Sequence, residues 1–127
     1  MIITKMRPYK EIKSQLKKRE KIGIVSCTLC AQLCHTGGRE VMKKLANRLE
    51  KDGFNVVDQD LIGGPCNYSR LEANELRGDV SIVLACDAGV YNLKKLFPKR
   101  RIIPALKTVG LGAYDNKGNI DLVRKFG

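Results

Sequence analysis

The sequence predicts an α/β fold: a small Rossmann-like or flavodoxin-like, mostly parallel sheet of about four strands, flanked by helices and preceded by an N-terminal helix. Three observations carry that expectation. Short β-branched and aliphatic runs alternate with segments of helical period. The connections between them are short and marked by glycine and proline. The chain has 127 residues, 43% of them hydrophobic, enough for one core and therefore one domain.

Taken in order, residues 1–20 read as a helical segment, because Tyr9, Ile12 and Leu16 recur at helical spacing and Pro8 suits a first turn. "KIGIVS" at 21–26 is the kind of run a buried strand shows. In "REVMKKLANRLEKDG", Met42, Leu45, Ala46 and Leu49 follow the i, i+3, i+4, i+7 pattern, and Gly53 stands where a helix-ending glycine belongs. "FNVVDQDLI" reads as a second strand, broken off by "GGPC". Ser69 and Glu72 form a capping-box pattern that predicts a helix over "RLEANELR". "DVSIVLAC" is the third and most hydrophobic strand, and "GVYNLKKLF" the helix after it. "RIIPALKT" predicts a fourth strand in which Pro104 demands an edge position or a break. Residues 113–127 form an extension with turn chemistry at Asp115–Gly118, suited to a hairpin or a docking segment, outside a core of 21–112.

Five cysteines punctuate this pattern: Cys27, Cys30 and Cys34 within eight residues, then Cys66 and Cys86. Parallel strands joined by right-handed crossovers align their C-terminal ends along one edge, where open α/β sheets bind ligands. Cys27 follows the first core strand, Cys66 the second and Cys86 the third, so the thiols are expected to gather at that edge. A buried cysteine is often a core residue, which would explain one of five but not the set. A structural disulfide network is disfavoured by the odd count and by the cytoplasmic location expected of a chain with no signal-peptide pattern and no apolar run of membrane-spanning length. A thioredoxin-like reading of "CTLC" leaves three thiols without a role.

A metal centre accounts for them best, with zinc and a [4Fe–4S] cluster as contenders, since both accept four thiolates. The spacing lacks the paired C-x2-C knuckles of a zinc ribbon, and the small uncharged residues Thr28, Ala31, Thr36, Gly37 and Gly38 leave backbone N–H groups to face cluster sulfides. That favours iron–sulfur. Spacing does not say which four cysteines bind, and His35 reads as a polar loop residue rather than a ligand.

The net charge of +11 points to an acidic partner. Nucleic acid is a poor fit: the four tyrosines and three phenylalanines are not interleaved with the basic residues, and no nucleic-acid-binding motif occurs.

"KIGIVSCTLCAQLCHTGG", the mid-chain loop at Cys66 and "SIVLACDAGV" together resemble the methylenetetrahydrofolate reductase C-terminal domain family over roughly residues 21–112. This family includes the small cysteine-rich subunit that accompanies the flavin-containing methylenetetrahydrofolate reductase of acetogens and related anaerobes. The resemblance implies a metal-binding accessory subunit, with the flavin on a separate barrel chain and further electron-transfer proteins as partners. By position, Cys27, Cys30, Cys34, Cys66 and Cys86 look like the family's metal-site cysteines, and Gly37, Gly38 and Gly89 like its cofactor-site glycines. With no G-x-G-x-x-G and no flavin or folate signature here, the hydride step itself is not expected on this chain.

Overall fold

The computed structural model describes residues 1–71 and 74–127. Four strands form a parallel sheet: β2 (Lys21–Cys27), β3 (Asn55–Ile62), β4 (Val80–Leu84) and β5 (Arg101–Pro104), in the order β3-β2-β4-β5. A second, antiparallel sheet holds β1 (Ile2–Met6), β6 (Leu106–Tyr114) and β7 (Ile120–Lys125), in the order β1-β6-β7. The helices are α1 (Tyr9–Ser14), α2 (Cys30–Leu33), α3 (Arg39–Lys51) and α4 (Asp87–Leu96). The predicted α/β class and the helix-flanked, four-stranded parallel sheet are what the chain forms.

Burial explains the strand order. From Ile22 to Cys27 every residue of β2 is buried, as is every residue of β4, so both suit the centre of a sheet covered on both faces. β3 alternates exposed and half-buried positions, as an edge strand can. α3 buries Met42, Leu45, Ala46 and Leu49, the stripe read from the sequence, and each fully buried aliphatic side chain contributes about 1.5–3 kcal/mol. It ends as expected at Gly53, with the Gly53 N–H donating to the Glu50 carbonyl and the Phe54 N–H to the Leu49 carbonyl, both at 3.0 Å. α3 packs on β2 and β3, α4 on β5. Since β2→β3 and β4→β5 run in opposite directions along the sheet, right-handed crossovers place the two helices on opposite faces.

Three sequence expectations need correction. The first 20 residues are not wholly helical: Ile2–Met6 is a strand paired with β6, because its hydrogen-bonding partner lies at the far end of the chain. The helix expected over 70–77 is not seen among the described residues: those numbered 74–77 are not helical. A single 3₁₀ turn spans Tyr68–Arg70, and Asn67 rather than Ser69 caps it, accepting the Ser69 N–H at 3.2 Å; Glu72 of the expected capping box lies outside the described residues. Arg100 holds the end of this segment, donating to the carbonyls of Gly78 (2.8 Å), Leu76 (3.4 Å) and Arg77 and to Ser81 Oγ (2.7 Å). Finally, "RIIPALKT" is not one strand. Pro104 both sits on the edge and marks the break: it pairs with Val83 as the last residue of β5, and β6 opens at Leu106 in the other sheet. β6 and β7 form the hairpin expected around Asp115–Gly118, though β6 crosses the 112/113 boundary between core and extension.

α1 is held to α3 by one aromatic side chain. The Tyr9 hydroxyl donates to Asp52 Oδ2 at 2.6 Å, and the Arg48 guanidinium stacks 3.8 Å from the centre of the Tyr9 ring. Burial first, then Asp52, pushes the Tyr9 phenol up to about 12, while the Tyr9 hydroxyl and then Lys13 hold the Asp52 carboxyl below its usual value. Tyr9→Phe should therefore cost about 1 kcal/mol at neutral pH, the scale of one net hydrogen bond. A depressed carboxyl stabilises above its unfolded pKa and loses that contribution as pH falls through the folded one; a raised phenol loses its contribution as pH climbs from about 10 towards 12. The gap between wild type and Tyr9→Phe in urea midpoint should thus be widest near neutrality and shrink at both extremes. A gap unchanged between pH 3 and pH 7 would contradict this.

Candidate metal centre

Numbered among the parallel strands alone, the sheet order is 2-1-3-4, so the winding direction reverses between β2 and β4. The crevice at the C-terminal ends of such a pair is where open α/β sheets place their ligands. Cys27 is the last residue of β2, and Cys86 follows β4 as the residue capping α4, so two thiols flank the crevice. Cys30 opens α2, three residues beyond Cys27, and Cys66 lies in the loop leaving β3. Cys34 ends α2.

Cys66 reports how near the others are. Although the residue is exposed, its thiol is pushed above the usual value, by burial first and then by the thiols of Cys86, Cys27 and Cys30. Cys86, Cys27 and Cys30, from two other loops, are thus near enough to Cys66 to act on its thiol. Cys34 is not among them; its S–H donates to the Ile2 carbonyl at 3.7 Å. Two backbone amides point at sulfurs, the Leu29 N–H at Cys27 Sγ (3.3 Å) and the Ile2 N–H at Cys30 Sγ (3.5 Å). Such N–H···S bonds stabilise negative charge on sulfur and are a standard means of tuning thiolate-bound metals.

The three glycines singled out by sequence shape this edge through close packing. A Cβ on Gly37 would sit 2.7 Å from Ser26 Oγ and 2.8 Å from Ala31 Cβ, so the absence of a side chain lets the cysteine loop lie against β2. Gly38 has φ +90, a backbone state that glycine adopts without strain, and its N–H donates to Ser26 Oγ at 2.7 Å as α3 begins. A Cβ on Gly89 would lie 3.0 Å from both Ala85 Cβ and Pro65 Cγ, so this glycine lets the Cys66 loop close onto α4 beside Cys86.

Other residues of the site carry no spacing signal in the sequence. Asn92 Nδ2 donates to the carbonyls of Cys66 (2.8 Å) and Pro65 (3.1 Å), tying the Cys66 loop to α4. The Asp87 N–H donates to Thr108 Oγ1 at 2.9 Å, fixing the residue after Cys86 to the second sheet. Ile2 could be found only by knowing that β1 lies beside α2. His35 is exposed, with φ 58, and lines a groove of about 590 Å³ with Arg39, Tyr114 and Gly118.

Among the described residues no three cysteine, histidine, aspartate or glutamate side chains already meet as a metal-binding group. The donor chemistry of Cys27, Cys30, Cys66 and Cys86 nonetheless suits a thiophilic centre: four soft ligands from three loops, two of them receiving N–H groups. Leu29 and Leu33 are 50% and 39% exposed beside this loop, an apolar rim around the thiols. No helix among the described residues is long and apolar enough to cross a membrane. No family model, curated protein or solved structure matches the chain.

Proposed function

We propose that this chain holds one [4Fe–4S] cluster through Cys27, Cys30, Cys66 and Cys86 and serves as an accessory electron-transfer subunit of a flavin-containing methylenetetrahydrofolate reductase, with zinc as the competing occupant of the same thiols. The observation that supports it most is the placement of Cys27, Cys66 and Cys86 beyond the C-terminal ends of β2, β3 and β4 at the switch point of a parallel sheet. The sequence resemblance supplies the partner. The exposed Leu29 and Leu33 and the net charge of +11 supply a surface suited to a partner whose docking face is apolar at its centre and acidic around it.

A bound cluster would supply one-electron transfer; the protein's own work is to position it. β2 and β4 fix Cys27 and Cys86, the Asn92 amide holds the Cys66 loop, and the Leu29 and Ile2 amides direct partial positive charge at Cys27 and Cys30.

Anaerobic purification followed by iron, acid-labile sulfide and zinc analysis tests this reading. About four irons and four sulfides per chain, with a broad band near 400 nm, are the expected result for a four-cysteine cluster. One zinc and no colour, with iron supplied during expression, would leave a structural interaction subunit. No metal, with one thiol alkylated far faster than the rest, would make it a thiol-redox protein.

A further inference from the structure

We infer that Cys34 is not a fifth or alternative ligand but a positioning residue: it holds Ile2 of β1 so that the Ile2 amide stays aimed at the sulfur of Cys30. The inference rests on the proposed function only in taking Cys30 as a ligand.

β1 is the outer strand of its sheet, so its edge away from β6 has no strand partner among the described residues. α2 packs there instead. In an extended strand the N–H and C=O of one residue point to the same side, and at Ile2 both meet sulfur: the N–H donates to Cys30 Sγ at 3.5 Å and the C=O accepts from Cys34 Sγ at 3.7 Å. The i, i+4 spacing of these cysteines across one helical turn stacks their side chains on a single face, which lets two thiols cap one residue. A second anchor lies two residues along β1, where the buried Thr4 hydroxyl meets Thr36 Oγ1 at 2.7 Å; Thr36 in turn reaches the Ala31 carbonyl of α2 at 3.2 Å. β1 is thereby fastened to the cysteine loop at Ile2 itself and again at Thr4.

The test uses metal-loaded full-length protein and three variants. Cys34→Ala should keep one centre per chain but weaken metal affinity about 10–100-fold, the usual cost of losing support around a ligand, and its Ile2 amide should exchange with solvent faster. Cys34→Ser, whose hydroxyl can still donate to the Ile2 carbonyl, should recover most of both losses. Thr4→Val leaves Cys34 intact and loosens β1 from its other anchor, so it should lower affinity in the same direction at full stoichiometry; this variant decides the matter if Cys34→Ala fails to fold. Loss of stoichiometric metal in both Cys34 variants would make Cys34 a ligand and overturn the inference, as would affinity and Ile2 exchange unchanged in Cys34→Ala. If the wild-type protein binds neither iron nor zinc, the proposed function fails instead. The Ile2 exchange rates of the metal-free wild type, Cys34→Ala and Cys34→Ser then still show whether Cys34 holds β1.

Discussion

Replacing Ile82 with alanine should destabilise the protein by about 2–5 kcal/mol. Ile82 lies in the middle of β4, fully buried, with Ile24 of β2 opposite on one side and Ile103 of β5 on the other. Opposed residues of neighbouring strands share a face, so the three isoleucines form one row across the sheet, each no more than 3% exposed. Deleting the central member removes apolar contact on both sides and leaves a cavity that flanking strands, held by their own ladders, cannot close. Against a total stability of about 5–15 kcal/mol, the loss should lower the thermal midpoint by about 10 °C or more and shift the urea midpoint with little change in slope. Val57→Ala is the control, since Val57 is 42% exposed on the edge strand β3, and it should change stability by no more than about 0.5 kcal/mol. An Ile82→Ala effect as small as the control's would mean that β4 is not the centre of the core.

Cys86→Ser should abolish stoichiometric metal binding while leaving the metal-free fold intact. A serine hydroxyl does not ionise at neutral pH, so the site would lose one of four thiolates, and metal sites require their ligands deprotonated. Position 86 makes this substitution unusually clean. Cys86 caps α4 with extended backbone angles and no side-chain bond to the helix, the situation in which serine is a preferred residue because its oxygen accepts a first-turn N–H. The metal-free variant should therefore be as stable as metal-free wild type, or more so by up to about 1 kcal/mol. Metal-loaded wild type should melt higher than both, and chelation should bring it down to their level. Full metal occupancy in Cys86→Ser would remove Cys86 from the ligand set and, with it, the argument from the switch point.

These expectations depend on elements of unequal legibility. β2, α3, β4 and α4 could be read from the chain because each announces itself locally, by a continuous apolar run or a helical stripe, and burial then does what the pattern requires. β1 could not, since "IITKM" is too short to carry a period and its partners in β6 lie at the other end of the sequence. The segment expected as a helix over 70–77 was misread for a related reason: the carbonyls of residues 76–78 are held by Arg100, a partner remote in sequence that leaves no local pattern. The site divides in the same way. Its cysteines were legible because strand ends in a parallel sheet converge by topology, whereas Ile2, Asn92 and Thr108 act through single backbone contacts that leave no pattern. The close packing that requires glycine at Gly37 and Gly89 depends on neighbours that only the fold brings together.

The pairing of β1 with β6 also sets an order of events during synthesis. The Met1 amine donates to the Gly112 carbonyl across 111 residues, so β1 is made well before the strand it pairs with. Closing a loop of that length is slow relative to the local pairings of β2 with β3 and of β4 with β5. On the ribosome, the cysteine loop and both strands that flank it should be complete while β1 is still loose and the Ile2 amide still away from Cys30. The thiols would then be open to whatever delivers metal until β6 emerges, and arrival of the C-terminal hairpin would draw β1 down over them. On the proposed reading, metal would enter before the fold is complete, and the pairing of β1 with β6 would follow it.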